Sequence, residues 1–584
     1  MLITFYGAVN SVTGSCHMIT TGTHKILLDC GMYQGGKTLE AENKAEFEFV
    51  PSDVECVVLS HAHVDHCGRL PLLVKRGFKG PIYCTDATAD LLQIMLPDCA
   101  YIQEKETEWA NRKALRKGEE PDLEPLYDQN DVNETLKLVK PVLYNQQIDI
   151  NESIKIVFND AGHILGSAIT ELFVDEGEKT IKVVFTGDIG CKDRPILRDP
   201  VKIKKADYVI MESTYGDRLH ESNEKSLTEL LEIIEKTIKR GGDVIIPSFA
   251  VGRTQELIYE LNEFYENNAH YHDFLKDVHV YIDSPMAIST TMVFRRNAQN
   301  FDETTKKKIL EGDNPLDFPN LHFTKTSAES MLLNTDPSPK IIIAASGMCD
   351  AGRICHHLKH NLWEKKNSIV IVGYQAAGTL GRMLVDGESE VSVLGEKVAV
   401  KAEIYNLEGF SGHADMEGLL DWVSGLKTSP TNIFLVHGED DAKDNLAGLI
   451  KNKFGFNVTP IHGITSVDTD EDGSGMTMEE VEEDLVDYEK VCAVRDKILG
   501  IHESIEDLLY SANLAVGEKI TSQRLADIAN IVAELEKGTI NLGMAVTEQG
   551  RNNVNQSGFS DEEIERMAAE AAAASENNDE DFNK

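Results

Sequence analysis

Basic residues are scarce in this chain: lysine and arginine number 57 against 98 aspartates and glutamates, a formal net charge of −41 over 584 residues. That balance excludes a general nucleic-acid coat protein, whose contact face must be basic to neutralise phosphates. It leaves room for one positive cleft, because bound metal ions or a few arginines suffice locally, and much of the acid sits near the carboxyl end. Long apolar runs are also missing. No stretch approaches the roughly 18 consecutive apolar residues of a membrane span, so no membrane association is expected. The amino terminus lacks a basic region followed by a long apolar segment and reads as a first strand, which argues against secretion. Ten cysteines are scattered without a CxxC pair, as suits reduced, mostly buried thiols in a cytoplasmic protein. Cys16 and Cys67 are read the same way, as small hydrophobes.

What is present is a soluble globular composition, 41% hydrophobic and 27% charged, in a chain long enough for two or three structural units. Its centre of organisation is Ser60-His61-Ala62-His63-Val64-Asp65-His66-Cys67-Gly68. The loop follows the apolar run 54–59, which reads as a buried strand. A strand end holds imidazoles and carboxylates rigidly, where nitrogen and oxygen donors can converge on zinc-like ions. His61 and His63 stand two apart in extended chain and share one side, so they can share one ion; Asp65 and His66 follow the turn, displaced toward a second.

Other candidates also sit at strand ends. Asp29 closes a run at 25–29 and is either a turn-former or the partner that orients a histidine. His163 lies between Gly162 and Gly166 after a strand at 154–158, Asp188 ends the run 183–185, and Glu212 ends 206–211. His413 precedes a helix and His437 follows a strand at 432–436; either alone reads equally as a core or capping residue. Between Glu212 and His413, helices at 225–240, 254–267 and 287–297 alternate with strands at 244–247, 278–283, 340–344 and 368–373, the pattern of a parallel sheet. Its carboxyl strand ends carry Ser248, Arg253, Ser346, Arg353, Thr379 and Arg382. These are either loop formers and solvated arginines or phosphate contacts. Residues 86–140 read as a charged, solvated helical face, and 398–405 as the return to the first domain.

Across residues 1 to about 465 the sequence resembles the metallo-β-lactamase-fold nucleases of the β-CASP group. In that resemblance Asp29, the HxHxDH set, His163 and Asp188 are the metallo-β-lactamase motifs. Glu212 opens the β-CASP insertion, and His413 and His437 are its second and third motifs. Phe249 to Arg253, Ser346 to Met348 and Gly378 to Arg382 look like further β-CASP signatures. The metal loop is more similar to the nuclease subunit of the cleavage and polyadenylation specificity factor than to ribonuclease J, which usually has Glu where Val64 stands. The implied fold is an α/β one: a metallo-β-lactamase αββα sandwich with an inserted α/β β-CASP domain, a helical carboxyl-terminal appendage and an acidic tail. The boundaries are 1–215 and 396–465 for the sandwich, 216–395 for the insertion, 466–546 for linker and appendage, and 547–584 for the tail.

The resemblance also implies a site. Two Zn2+ ions are expected, the first on His61, His63 and His163, the second on Asp65, His66 and His437, bridged by Asp188. Asp29 supports the ligands, while His413, Glu212 and Asp65 take part in catalysis. Single-stranded RNA in the interdomain cleft is the implied substrate, cut internally. A 5′-to-3′ exoribonuclease and a small-molecule hydrolase of the same fold are the alternatives. The apolar positions of 479–540 fit a homodimer contact, a surface for other RNA-processing proteins, or a hairpin packed on its own chain. Residues 468–479 match an EF-hand loop pattern, yet Gly475 stands where an apolar residue is needed, and an acidic linker is the better reading. The last 38 residues read as a solubilising, disordered tail.

Overall fold

In the computed structural model, residues 1–469 are described, apart from 36, 119, 121, 122, 178 and 377. The EF-hand-like stretch, the helical appendage and the tail therefore fall outside the described residues, save the first two positions of the stretch. Two seven-stranded sheets form the first body. One begins with the antiparallel strands Thr465–Asp468, Leu2–Gly7, Cys16–Thr21 and His24–Leu28 and continues in parallel through Cys56–Val58, Ile82–Thr85 and Val139–Val142. The other is antiparallel through Gln147–Asp149, Ile154–Asp160, Ala168–Asp175 and Thr180–Phe185, then parallel through Tyr208–Glu212, Asn432–Val436 and Val458–Pro460.

Side-chain alternation explains how the sheets stack. Ile3, Phe5, Ile26, Leu28 and Val58 of the first sheet meet Ile156, Phe158, Leu172, Val183, Ile210 and Phe434 of the second in one buried cluster. The opposite residues of the first sheet, Leu27, Val57 and Ile82, pack with Leu70, Leu73, Leu91, Leu92 and Leu96 of helices Leu70–Lys75 and Asp86–Lys117. Those of the second, Val184, Val209, Ile433 and Leu435, pack with Leu419, Val423, Leu446 and Ile450 of helices Met416–Val423 and Asp440–Phe454. Burying both faces of both sheets yields the helix-sheet-sheet-helix layering anticipated above.

The insertion is visible in the strand register. Glu212 pairs with Val436, so Asn432–Val436 returns beside Tyr208–Glu212 although more than 200 residues lie between them, most of them in the insertion. Those residues build a six-stranded, all-parallel sheet in the order Leu321–Phe323, His279–Ile282, Lys340–Ala344, Val244–Pro247, Ser368–Ile371 and Glu403–Asn406. Lys340–Ala344, Val244–Pro247 and Ser368–Ile371 are buried along their whole length, as unbroken apolar runs such as Val244-Ile245-Ile246 require of a sheet covered by helices on both sides. One expectation is corrected here. The segment 398–405 does not rejoin the sandwich, because Ser368 to Ile371 pair with Glu403 to Asn406 and keep that strand at the edge of the inserted sheet. Strand pattern alone says nothing about which sheet an edge strand joins.

Among the described residues no helix is long and apolar enough to cross a membrane. The nine described cysteines are free, and seven are fully buried. Cys16 and Cys67 lie in the apolar cluster.

Candidate metal centre

Parallel strands end together, and here their carboxyl ends carry the chemistry. Thr180–Phe185, Tyr208–Glu212 and Asn432–Val436 run side by side and deliver Asp188, Glu212 and His437 to one rim. From the facing sheet His24–Leu28 and Cys56–Val58, also parallel neighbours, deliver Asp29 and the histidine loop. His61 and His63 remain in extended chain, and a short helix, Val64–Cys67, then turns Asp65 and His66 toward the same centre. Close backbone packing fixes the loop: Gly31 leaves no room for a side chain, since a Cβ there would stand 1.5 Å from the Asp65 carbonyl oxygen.

The donor atoms form two groups. His61 Nε2 and His163 Nε2 each lie 3.1 Å from His63 Nδ1, and both lie 3.5 Å from Asp188 Oδ2. His66 Nε2 lies 3.2 Å from His437 Nε2 and 3.7 Å from Asp65 Oδ2, while His437 Nε2 lies 3.4 Å from Asp65 Oδ2. Asp188 stands between the groups, its Oδ2 also 3.3 Å from His66 Nε2 and its Oδ1 3.6 Å from His437 Nδ1. Donors about 2.0–2.1 Å from a tetrahedral ion stand roughly 3.3 Å apart, so the spacing suits zinc-like coordination. Bare nitrogen lone pairs this close repel one another unless a cation draws them together. The buried Asp188 Oδ1 has no hydrogen-bond partner, an expensive orphan that a cation satisfies. The residues therefore fit the expected ions.

Electrostatics keep the imidazoles of the first donor group neutral and ligand-competent. Burial pushes the pKa of His61 and His163 well below the ordinary range, and that of His63 down to about 4. Burial opposes charge on His66 too, yet Asp188, Asp65 and Asp29 outweigh it and raise its pKa well above the usual value. The Asp65 carboxyl is held at about 2 against its own burial, chiefly by His66 and His437.

Three of the ligand rings, those of His66, His163 and His437, are oriented from behind. His66 Nδ1 donates to Asp29 Oδ2 at 2.7 Å, and Asp29 also accepts from the Ser60 amide at 2.8 Å and from the hydroxyls of Ser60 and Ser15 at 2.9 and 3.0 Å. Between its two sequence readings, turn-former and histidine partner, Asp29 is both: its φ of 59° is left-handed. His163 Nδ1 donates to the Gly412 carbonyl at 3.2 Å, and the Thr214 hydroxyl lies 3.1 Å from His437 Nδ1. His437 itself has a φ of 51°, so two non-glycine residues in left-handed backbone flank this centre. Ser15, Ser60 and Thr214 were not singled out from sequence. Ser60 is the one with a signal, as the hydroxyl residue directly before the histidines.

His413 lies beside the ligand groups. Its Nδ1 is 3.1 Å from Glu212 Oε2 and 3.8 Å from Asp188 Oδ2. Glu212 is itself fixed by the Ile189 amide and by the Thr214 hydroxyl at 2.6 Å. Burial works against the His413 imidazolium, but Glu212 and Asp188 outweigh it and lift the pKa to about 9. The insertion reaches the centre through Phe249, whose ring is 6.4 Å from that of His63.

The six expected phosphate contacts are all engaged within the insertion. Arg253 pairs with Glu256. Arg353 donates to Asp283 at 2.5 Å and to the Thr324 and Lys325 carbonyls, and Arg382 pairs with Asp386 at 2.9 Å. Buried Ser248 accepts from the Thr254 hydroxyl, Thr379 caps helix Leu380–Val385, and half-buried Ser346 accepts from the Ala351 amide.

A sandwich whose rim gathers two sets of imidazoles around a shared carboxylate, with an α/β insertion leaning over it, defines a metal-dependent hydrolase. The comparisons agree in order along the chain: residues 18–189 match the model of the metallo-β-lactamase superfamily domain, 254–384 that of the β-CASP domain, and 397–460 that of the Zn-dependent metallo-hydrolase RNA specificity domain. The chain is 39% identical over 441 residues to ribonuclease TTHA0252 of Thermus thermophilus, covering 76% of this chain and 94% of that protein. It is 33% identical over 469 residues to the transcription termination factor FttA of Methanocaldococcus jannaschii, covering 77% and 69%. The chain belongs to the β-CASP ribonuclease family of metal-dependent hydrolases.

Proposed function

We propose that this protein is a zinc-dependent endoribonuclease working with two ions. The observation that carries the reading is the meeting of two donor groups at Asp188. His61, His63 and His163 would hold the first ion and Asp65, His66 and His437 the second, with Asp188 standing between the two donor groups. Bound ions supply Lewis-acid charge at the phosphate and bring the pKa of water down toward about 7. The chain's own residues do the rest. Asp29, Ser60 and Thr214 hold the ligand rings. Glu212 fixes His413 through Nδ1, leaving the other ring nitrogen to carry a proton to the departing 3′-oxygen. Asp65 acts both as ligand and as a catalytic carboxylate. Single-stranded RNA lies along the edge where the insertion meets the rim, close to Phe249.

Internal cutting is favoured over 5′-end attack because Arg253, Arg353 and Arg382 each already face a carboxylate. That pairing reduces what they offer to a terminal phosphate. Ser248, Ser346 and Thr379 remain candidates for backbone phosphate contacts. The test is incubation of the zinc-loaded protein with internally labelled, 5′-blocked RNA. Internal fragments whose release His63→Ala abolishes and His413→Ala strongly slows support the proposal; mononucleotides released from 5′-monophosphate ends alone would replace it with an exonuclease.

A further inference from the structure

His413 sits on a loop that comes back from the insertion, and one side chain of the sandwich grips two backbone carbonyls of that loop. Arg194, with 8% of its side chain exposed, directs Nη2 at two carbonyls of this loop, Gly409 O at 2.5 Å and Ser411 O at 2.9 Å. Its other terminal nitrogen, Nη1, donates to Asn223 Oδ1 at 2.7 Å and to Glu256 Oε1 at 3.0 Å. Asn223 and Glu256 belong to helices Asn223–Lys239 and Arg253–Asn267 of the insertion, whereas Arg194 follows Asp188 in the sandwich. Two groups hold the His413 carbonyl in turn: Cys191 Sγ at 3.0 Å and His220 Nε2 at 3.1 Å. One step on, the Ala414 amide donates to the Ile189 carbonyl at 2.7 Å. A planar guanidinium with donors in a fixed fork is the side chain that can span two carbonyls on one side and a carboxylate on the other.

We infer that Arg194 is a positioning residue: it makes the placement of the His413 imidazole depend on how helix Arg253–Asn267 docks on the sandwich, through Glu256. This rests on the reading of His413 as a participant in RNA cleavage. It goes beyond that reading in naming the link between insertion and imidazole. Arg194 touches neither the ligand groups nor, on this view, the RNA. Its substitution therefore lowers kcat and leaves KM in place, and does so only while His413 is there to be misplaced.

The test is a double-mutant cycle with zinc-loaded full-length protein and a fluorophore–quencher single-stranded RNA, read at single turnover with enzyme in excess. Arg194→Ala should lower the cleavage rate by about 10- to 100-fold, the range for groups that orient a working side chain. In a His413→Ala background the same change should cost less than about twofold, which is within the scatter of such cycles. Added guanidinium ion should restore Arg194→Ala and not His413→Ala. Zinc content should equal that of the wild type. If Arg194→Ala does not fold, Glu256→Gln, which keeps the carbonyl contacts but loosens their anchor, should give a smaller loss with the same dependence on His413. Full activity in a folded Arg194→Ala protein, or losses that multiply with those of His413→Ala, would overturn the inference. Full activity in His413→Ala alone would instead remove the reading on which it stands.

Discussion

Asp29→Asn isolates how the second donor group is held. The carboxylate accepts four hydrogen bonds, from the His66 ring, the Ser60 amide and the hydroxyls of Ser60 and Ser15. Asparagine has nearly the same shape and tolerates the left-handed backbone of this position, so the main chain is left in place. It cannot accept on both ends: its amide group must face either the His66 N–H or the Ser60 N–H, donor against donor. A hydrogen bond to a buried charged group is worth about 1.5–3 kcal/mol, which corresponds to roughly 10- to 150-fold in an equilibrium constant. His66 freed in this way should hold its ion at least about tenfold more weakly. Zinc titrated against a colorimetric chelator should show one site weakened and the other, on His61, His63 and His163, unchanged. Asp29→Ala should in addition lose about 1–2 kcal/mol of fold stability, because alanine is strained at positive φ. Two unaltered zinc affinities in Asp29→Asn would refute the reasoning.

Three further outcomes follow from particular residues. His17 is fully buried against Phe5 and Phe185 with neither ring nitrogen partnered, so His17→Phe should raise stability to urea by about 1–3 kcal/mol; a loss of that size would contradict this account of the core. Burial, reinforced by Glu256, lifts the Glu260 carboxyl from 4.5 to about 7. A raised carboxyl pKa gives stability that is complete below the unfolded value and lost as pH climbs through the folded one. Glu260→Gln should therefore gain on the wild type in thermal melts between pH 5 and pH 8, and a constant difference over that window would refute it. Gly31→Ala should abolish zinc binding through displacement of the Asp65 loop, with wild-type zinc content as the contrary result.

Part of this centre could be read from the chain because it is local. His61, His63, Asp65 and His66 fall within six residues, and extended geometry followed by one helical turn nearly dictates how they divide into two groups. Asp188 and Glu212 were legible for a different reason: each closes a segment opened by an apolar run, and parallel strands bring such ends to one rim, whereas His437 stood out only through the family resemblance. The long apolar runs of the insertion likewise announced a covered parallel sheet. What escaped depends on pairing between distant segments. Leu321–Phe323 is too short to show a pattern, and Glu403–Asn406 looks the same whichever sheet it joins. Arg353 and Arg382 read as free cations until Asp283, 70 residues away, and Asp386 are seen beside them. The clamp of Arg194 on the 409–413 loop leaves no trace in local spacing, since its partners come from three parts of the chain.

Anomalous scattering at the zinc edge from crystals of the loaded protein tests the central claim most directly. Two peaks are expected per chain, one among His61, His63 and His163, the other among Asp65, His66 and His437, with Asp188 touching both. A single peak, or zinc bound away from Asp188, would contradict it.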